Sequence, residues 1–527
     1  MFLRRKANMN NKTKKILRGS SIGLAVCAIT GITAFSIAYK ANNPFKPTFY
    51  NYKSYMSDDG KDVMNKHFDY KEFETLNEFT RAIMTNKAMA GIGSDSQAVQ
   101  LIRRGKLKEI DYLKLFQEDN NRPEWAKNKT YQQYRDSAEY RMFQKNLFTD
   151  LTWKHMSAYD QILKTDFDNK PWADGRERHL YDYFVPYFTQ DMVIGYNPVK
   201  VDPSLQDADL NTPEGRKKLY LTDQKILKTL GETGQNKGVK SDKKEVLFKD
   251  ALSALKKHGF NRWQITDAVR DNMIYGSAYS HDKDGKIIPN IISGEAGDIQ
   301  KQPELYKKYI DNFANLIKDG LGYELTNPNI QLLGDGQLIL TNLITDQSNA
   351  NASIMYNGDA SDAYFSDDND VSVANGTIRF IRPRSNLLLI DGLVVVNSDL
   401  VTEEQYDKLY NTAKEAFLHG LQYKSWDKFS TKEIEEFPSY KNFDFVTYTP
   451  AVKVLYDYAL NNKFSDLDPY EQQYAKQLYE IKSDYSIIDP ITGEKMFDYK
   501  VDHTAIQPTD QKTQTNLITY WNQKTKK

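Results

Sequence analysis

Asp391 interrupts the run Leu387-Leu388-Leu389-Ile390-Asp391-Gly392-Leu393-Val394-Val395-Val396, whose other members, Gly392 apart, are all apolar. Such a run reads as a buried central strand pair, and a lone buried carboxylate is costly unless it is paired. Asp391 therefore needs a partner. A structural ion pair, a helix cap and a cationic ligand all meet that need. Asp267 and Asp271 are four residues apart. Thr266 is expected to cap a helix starting at Asp267, which puts both acids on one face of its first turns. There they complement the helix dipole or face a ligand. Phe49-Tyr50-Asn51-Tyr52-Lys53-Ser54-Tyr55 is read as a strand with Tyr50, Tyr52 and Ser54 on one face. Its tyrosines offer ring faces and hydroxyls at a strand end, where open α/β sheets bind ligands.

Other polar groups read as structure. Ser94-Asp95-Ser96 follows a short strand and offers N-caps to a helix. Gly91-x-Gly93 lacks the third glycine of a dinucleotide fingerprint. Asp367-Asp368-Asn369-Asp370 lacks the glycine and terminal glutamate of a calcium loop and reads as solvated. Asn357-Gly358-Asp359 reads as a turn with Asp359 exposed. No Gly-x-Ser-x-Gly, His-Glu-x-x-His or Walker pattern occurs, so we expect no enzyme, no cofactor and no metal centre.

Apolar strands near 184–188, 192–196, 263–265, 353–356, 377–382 and 387–396 alternate with helices at 69–87, 247–258, 302–319, 451–480 and 512–524. A Thr402–Gln405 capping box opens a further helix. This alternation predicts an α/β protein. Its 527 residues exceed one compact core, so two lobes are expected. Residues 47–195 with 381–450 form lobe 1, and 196–380 with 451–527 form lobe 2. Strands cross between them near 195–200 and 375–382. Residues 117–180, 200–245 and 422–445 read as insertions, the first without recognisable chemistry.

Basic and acidic residues balance at 71 each, but eight basic and no acidic residues lie in 1–40. The remaining body is mildly acidic, which argues against nucleic acid and suits a cationic ligand. Residues 1–18 form a basic tail. The next 21 residues, Gly19 to Tyr39, are uncharged, long enough for a transmembrane helix with the body outside. The alternative is a lipoprotein signal cleaved before Cys27, the only cysteine, where lipid would be attached.

Several short segments, in collinear order, resemble the spermidine/putrescine-binding proteins of bacterial ABC importers. They are Phe49–Tyr55, Ser94-Asp95-Ser96, Arg104-Gly105-Lys106-Leu107 with Ile110-Asp111, Val185-Pro186-Tyr187, Thr266–Asp271, Met355-Tyr356-Asn357-Gly358, Leu389–Leu393 and Tyr448-Thr449-Pro450. The resemblance covers most of 48–455. Tyrosine replaces the more usual tryptophan at Tyr52 and Tyr356, and Leu389 stands where a box tryptophan is usual. It implies a two-lobed, type II periplasmic-binding-protein-like fold with the ligand cleft between the lobes. It also implies an aromatic box of Tyr52, Tyr356 and Tyr448. Asp391 and Asp271 would take ammonium groups from opposite lobes, Asp267 would be an offset member of the acid pair, and Tyr55 and Ser94 would add polar contacts. The implied partners are a polyamine, an ABC permease and its ATPase, with the body tethered on the extracellular side. The alternatives are the same fold binding another small cation or a metal, or a surface adhesin built on it.

Overall fold

The computed structural model describes residues 46–117, 121–289, 304–366, 372–509 and 511–526. The expectations for 1–18, 19–39, Cys27 and 367–370 lie outside them. Among the described residues no helix is long and apolar enough to cross a membrane.

The strands in chain order are β1 (Thr48–Tyr52), β2 (Asp69–Phe73), β3 (Ala90–Ser94), β4 (Phe184–Gln190), β5 (Met192–Tyr196), β6 (Trp263–Thr266), β7 (Ser280–His281), β8 (Ile287–Ile288), β9 (Ile330–Leu333), β10 (Ala352–Tyr356), β11 (Arg379–Ile381), β12 (Ser385–Val395), β13 (Thr449–Pro450), β14 (Asp484–Ile488), β15 (Lys495–Lys500) and β16 (Asp502–Ala505). One sheet is ordered β13-β4-β12-β3-β1-β2, with β16 also paired to β12, and a second is ordered β11-β5-β10-β6-β9. The two share one plan. Three parallel strands, β2-β1-β3 or β9-β6-β10, are extended by an antiparallel strand, β12 or β5. Each antiparallel strand belongs to the segment that has just crossed from the other sheet. Each sheet is thus a parallel three-stranded core extended by a strand delivered from the other sheet, with helices in the connections between the strands.

The crossings differ slightly from expectation. Met192–Tyr196 already lies in the second sheet, so Asp191 alone makes the first crossing, and residues 382–384 make the second. The C-terminal strand β16 is a third connection, because it joins β12 next to this point. One buried network ties all three. The Asp191 carboxylate, 0% exposed, accepts from Arg382 Nε at 2.7 Å and Nη2 at 3.0 Å, and lies 2.8 Å from His503 Nε2 on β16. Asn386 orients the same corner by accepting from the Met192 N–H and donating to its carbonyl.

Two hydrophobic cores follow the two sheets. The segment 451–527, assigned whole to lobe 2 from sequence, divides between them. Leu455, Phe464 and Tyr479 join the first core, and Tyr485, Phe497, Leu517 and Trp521 the second. The last helix, Gln511–Thr525, packs on helices Val269–Ser277 and Leu305–Leu321.

Candidate functional site

The first strand is shorter than its pattern suggests. Phe49 and Asn51 are buried on one face, while Tyr50 and Tyr52 are half-buried on the other. The strand stops at Tyr52, because Ser54 takes a left-handed conformation with φ of 56°. That turn brings Tyr55 back beside Tyr52, so the two hydroxyls converge through a turn and not through strand alternation. Tyr52 donates to Asp391 Oδ1 at 3.0 Å and Tyr55 to Oδ2 at 2.9 Å. Their rings meet edge-to-face at 5.3 Å.

Asp391 reaches them because β12 is irregular at this point. Its register against β4 shifts between Asp391 and Gly392. A bulge re-aims the side chain beside it, and Asp391 is half-buried in an otherwise mostly buried strand. Gly392 is required here: a Cβ would stand 2.5 Å from the Phe184 ring and the Val185 carbonyl. Ser94 pairs with Asp391 in the ladder but is spent locally, accepting from Gln97 N–H as the N-cap of helix Asp95–Arg103.

A second phenol–carboxylate pair comes from the other sheet. Tyr356, at the end of β10, donates to Asp271 Oδ2 at 2.9 Å. Asp271 is 6% exposed in the first turn of helix Val269–Ser277. Asp267 does not join it. Thr266 is the last residue of β6 and donates to the Ile354 carbonyl, so the helix begins two residues beyond Asp267. Asp267 is exposed and accepts from the Trp521 indole.

A third pair corrects the reading of Asp359 as exposed. It is 6% exposed, in the helix Asn357–Tyr364 that starts directly at the end of β10, and accepts from the Tyr448 hydroxyl at 2.5 Å. Tyr448 in turn stands edge-on to Tyr55 at 5.5 Å. Sequence reasoning also missed Asp95, which lies 2.5 Å from His155 Nε2 and accepts from Tyr159 at 2.9 Å. Both partners come from the 117–180 insertion, which therefore buttresses the site.

Among the described residues no cation is hydrogen-bonded to any of the three paired carboxylates. Burial pushes Asp391 up to about 7, with Tyr55 and Tyr52 pulling it down and Asp95 pushing it further up. Burial likewise raises Asp359 to about 7 against the pull of Tyr448, and Asp271 to about 6 against Tyr356 and the nearby Arg270. Among the described residues no three His, Cys, Asp or Glu side chains are grouped to hold a metal ion. An open groove of about 740 Å³ lies elsewhere, on the insertion, lined by residues including Phe116, Trp125, Met142, Phe143, Leu421 and Tyr423; it carries none of these acids.

Several solved structures are similar to this one at low identity. A putative spermidine/putrescine ABC transporter protein from Listeria monocytogenes is 12% identical, with a TM-score of 0.43 over 91% of this chain and 98% of that one. The spermidine/putrescine substrate-binding protein PotD of Streptococcus pneumoniae is 14% identical, with the same TM-score and coverage. The TpPotD lipoprotein of Treponema pallidum is 10% identical at 0.43, over 90% and 98% of the two chains. At this similarity none of them bears on the ligand. No curated protein matches the sequence. Residues 12–486 do match a family described as hypothetical lipoprotein (MG045 family), and the chain belongs to that family.

Proposed function

We propose that this protein is the solute-binding component of an ABC importer, tethered on the outer side of the membrane, and that its cleft captures a polyamine and delivers it to the permease. The observation that supports the reading is one phenol–carboxylate group on each sheet, Tyr52 and Tyr55 on Asp391 and Tyr356 on Asp271, with Asp271 close enough to act on the Tyr52 hydroxyl electrostatically. A polyamine is a methylene chain with ammonium groups at intervals. Tyrosine faces suit the methylenes and contribute about 0.5–2 kcal/mol per cation–π contact. Each carboxylate takes an ammonium through a charge-assisted hydrogen bond, contributing about 1.5–3 kcal/mol. A ligand touching both sheets favours the closed form by its differential affinity for it. Nothing in this role requires chemistry on the ligand.

A thermal-shift screen of the full-length protein against polyamines, amino acids, sugars and metal ions tests the reading. Spermidine or putrescine should raise the melting temperature, and silence from both, with a shift from another class, would overturn it. Tyr356→Ala is expected to weaken polyamine binding by about 1–3 kcal/mol, since it removes a ring face and packing without stranding a charge. Unchanged calorimetric affinity in that variant removes Tyr356 from the site.

Binding should also depend on pH. Ligand cations favour the ionised carboxyls, whose free-state values are raised to about 6 for Asp271 and about 7 for Asp391. Affinity is therefore expected to climb between about pH 5 and pH 8, with protons released on binding near the middle of that range. The ligand-free protein shows the converse. These carboxyls lie above their unfolded values of about 4, so their contribution to stability is present at acid pH and is lost as pH rises through about 7. Calorimetry in buffers of different ionisation heat reads the protons directly. Proton uptake, or none, contradicts the assignment.

A further inference from the structure

We propose that residues 506–509 form a strap that latches the two halves of the molecule together. Tyr159 and Gln100 fasten it to the half built on the first sheet, and Arg270 fastens it to the half built on the second, so that ligand leaves through a step in which the strap lets go. The device concerns how the halves are held and is independent of which solute the cleft takes.

The path of the chain comes first. β16 runs parallel to β12 and ends level with Leu388. Three residues further along β12, Asp391 pairs with Ser94 at the end of β3. Residues 506–509 continue past this point and reach the helix Asp95–Arg103, where Gln100 Nε2 donates to the Thr509 carbonyl at 2.7 Å. The Tyr159 hydroxyl, from the 117–180 insertion, lies 2.9 Å from the Ile506 carbonyl. From the other half, Arg270 Nη2 in the helix Val269–Ser277 donates to the Gln507 carbonyl. The last helix then lies on that same half, with the Trp521 indole donating to Asp267 at 2.6 Å. All three fastenings grip backbone carbonyls, so the strap is held by its path and not by its side chains.

The fastenings can let go at small cost. Tyr159 is fully buried, and its single hydroxyl proton faces two acceptors, the Ile506 carbonyl and Asp95 Oδ2, both at 2.9 Å. When Ile506 withdraws, the proton passes wholly to Asp95 and no buried donor is orphaned. Asp95 keeps the Ser96 N–H and His155 in either arrangement. On the other side, burial pulls Arg270 below its ordinary range, while Asp271, Tyr159 and Asp95 act against that pull. Its Nε is buried and, among the described residues, has no hydrogen-bond partner; nor has the buried Thr509 hydroxyl. Buried polar groups in a permanent core are paired. A seam that exchanges partners between two arrangements leaves some of them unpaired in one.

The test uses the full-length protein carrying Cys27→Ser, with spin labels on Asn77→Cys and Leu338→Cys, exposed sites on the helices that follow β2 and β9. Electron–electron distances are read without ligand, and release of spermidine is followed by stopped flow. Tyr159→Phe and Gln100→Ala should each lengthen or broaden the distance. Each should also speed release by about three- to ten-fold, the scale of one hydrogen bond, without a matching fall in melting temperature. The Gln100 side chain bonds to the strap and not to Asp95. An effect of Tyr159→Phe alone would therefore act through that carboxylate and overturn the strap. Unchanged distances in both variants, or a longer distance with parent-like release, would overturn it too. A parent that binds no spermidine fails the proposed function instead, and the distances then decide the strap by themselves.

Discussion

Asp391→Asn is expected to weaken polyamine binding by about 2–5 kcal/mol, the usual cost of breaking a desolvated charge pair, or roughly thirty-fold and more in Kd. The substitution keeps the shape of the side chain and removes its charge. Tyr52 and Tyr55 would still have an amide oxygen to donate to, but the amide nitrogen would meet the other hydroxyl as a donor and turn away an ammonium. The bulge at Gly392 and the packing of β12 do not depend on the charge, so the fold should persist. Asp267→Asn is the exposed comparison and should stay within about 0.5 kcal/mol. Calorimetry on the three proteins decides between them. Parent-like affinity in Asp391→Asn would mean the cation sits elsewhere, and a large loss in Asp267→Asn would restore that residue to the site.

The parts of this site that could be read from sequence are those whose signal is local. The need of Asp391 for polar partners was legible because a single acid in an apolar strand has few explanations. The α/β class was legible because strand and helix periods alternate. What failed was decided by long-range pairing. Thr266 looked like an N-cap, but β6 pairs on both sides, with β9 and β10, and the ladder holds Thr266 in the strand. That pushes the helix start past Asp267. Asn357-Gly358 looked like an exposed turn, yet the Asn357 side chain accepts from the Asp191 N–H and donates to Thr449 and the Leu478 carbonyl. Those contacts bury the turn and carry Asp359 with it. No local pattern announces them, because the partners lie 166, 92 and 121 residues away. The role of the 117–180 insertion was hidden for the same reason: Asp95 meets His155 and Tyr159 only after the insertion folds back over the tip of β3.

The crossing network is the least legible part, and its removal should have the largest effect on stability. Arg382→Met is expected to cost about 3–5 kcal/mol of unfolding free energy, because it leaves a fully buried carboxylate without its main counter-charge. Arg382 and Asp191 are both 0% exposed. The guanidinium also donates to the part-buried Gln477 carbonyl at 2.6 Å and the buried Leu478 carbonyl at 2.9 Å, so both acceptors lose a donor with it. His503 and Asn386 remain near Asp191, but among the described residues His503 Nδ1 has no partner and Asn386 stands at 3.5 Å from the carboxylate. Neither replaces a bidentate guanidinium. Adding Asp191→Asn to Arg382→Met removes the stranded charge and should recover a large part of the loss, which a double-mutant cycle measures as coupling. Urea unfolding of the full-length variants near neutral pH, followed by tryptophan fluorescence, gives these numbers. A single-mutant loss under about 1 kcal/mol, or a double mutant no better than Arg382→Met, would show that the crossings hold together by backbone pairing alone. The network has a functional consequence as well. Asp191, Arg382 and His503 lie on the three connections between the sheets, so a rotation of one sheet against the other is expected to strain their contacts. Loosening that corner should therefore weaken ligand binding even though no residue of the network touches the proposed ligand.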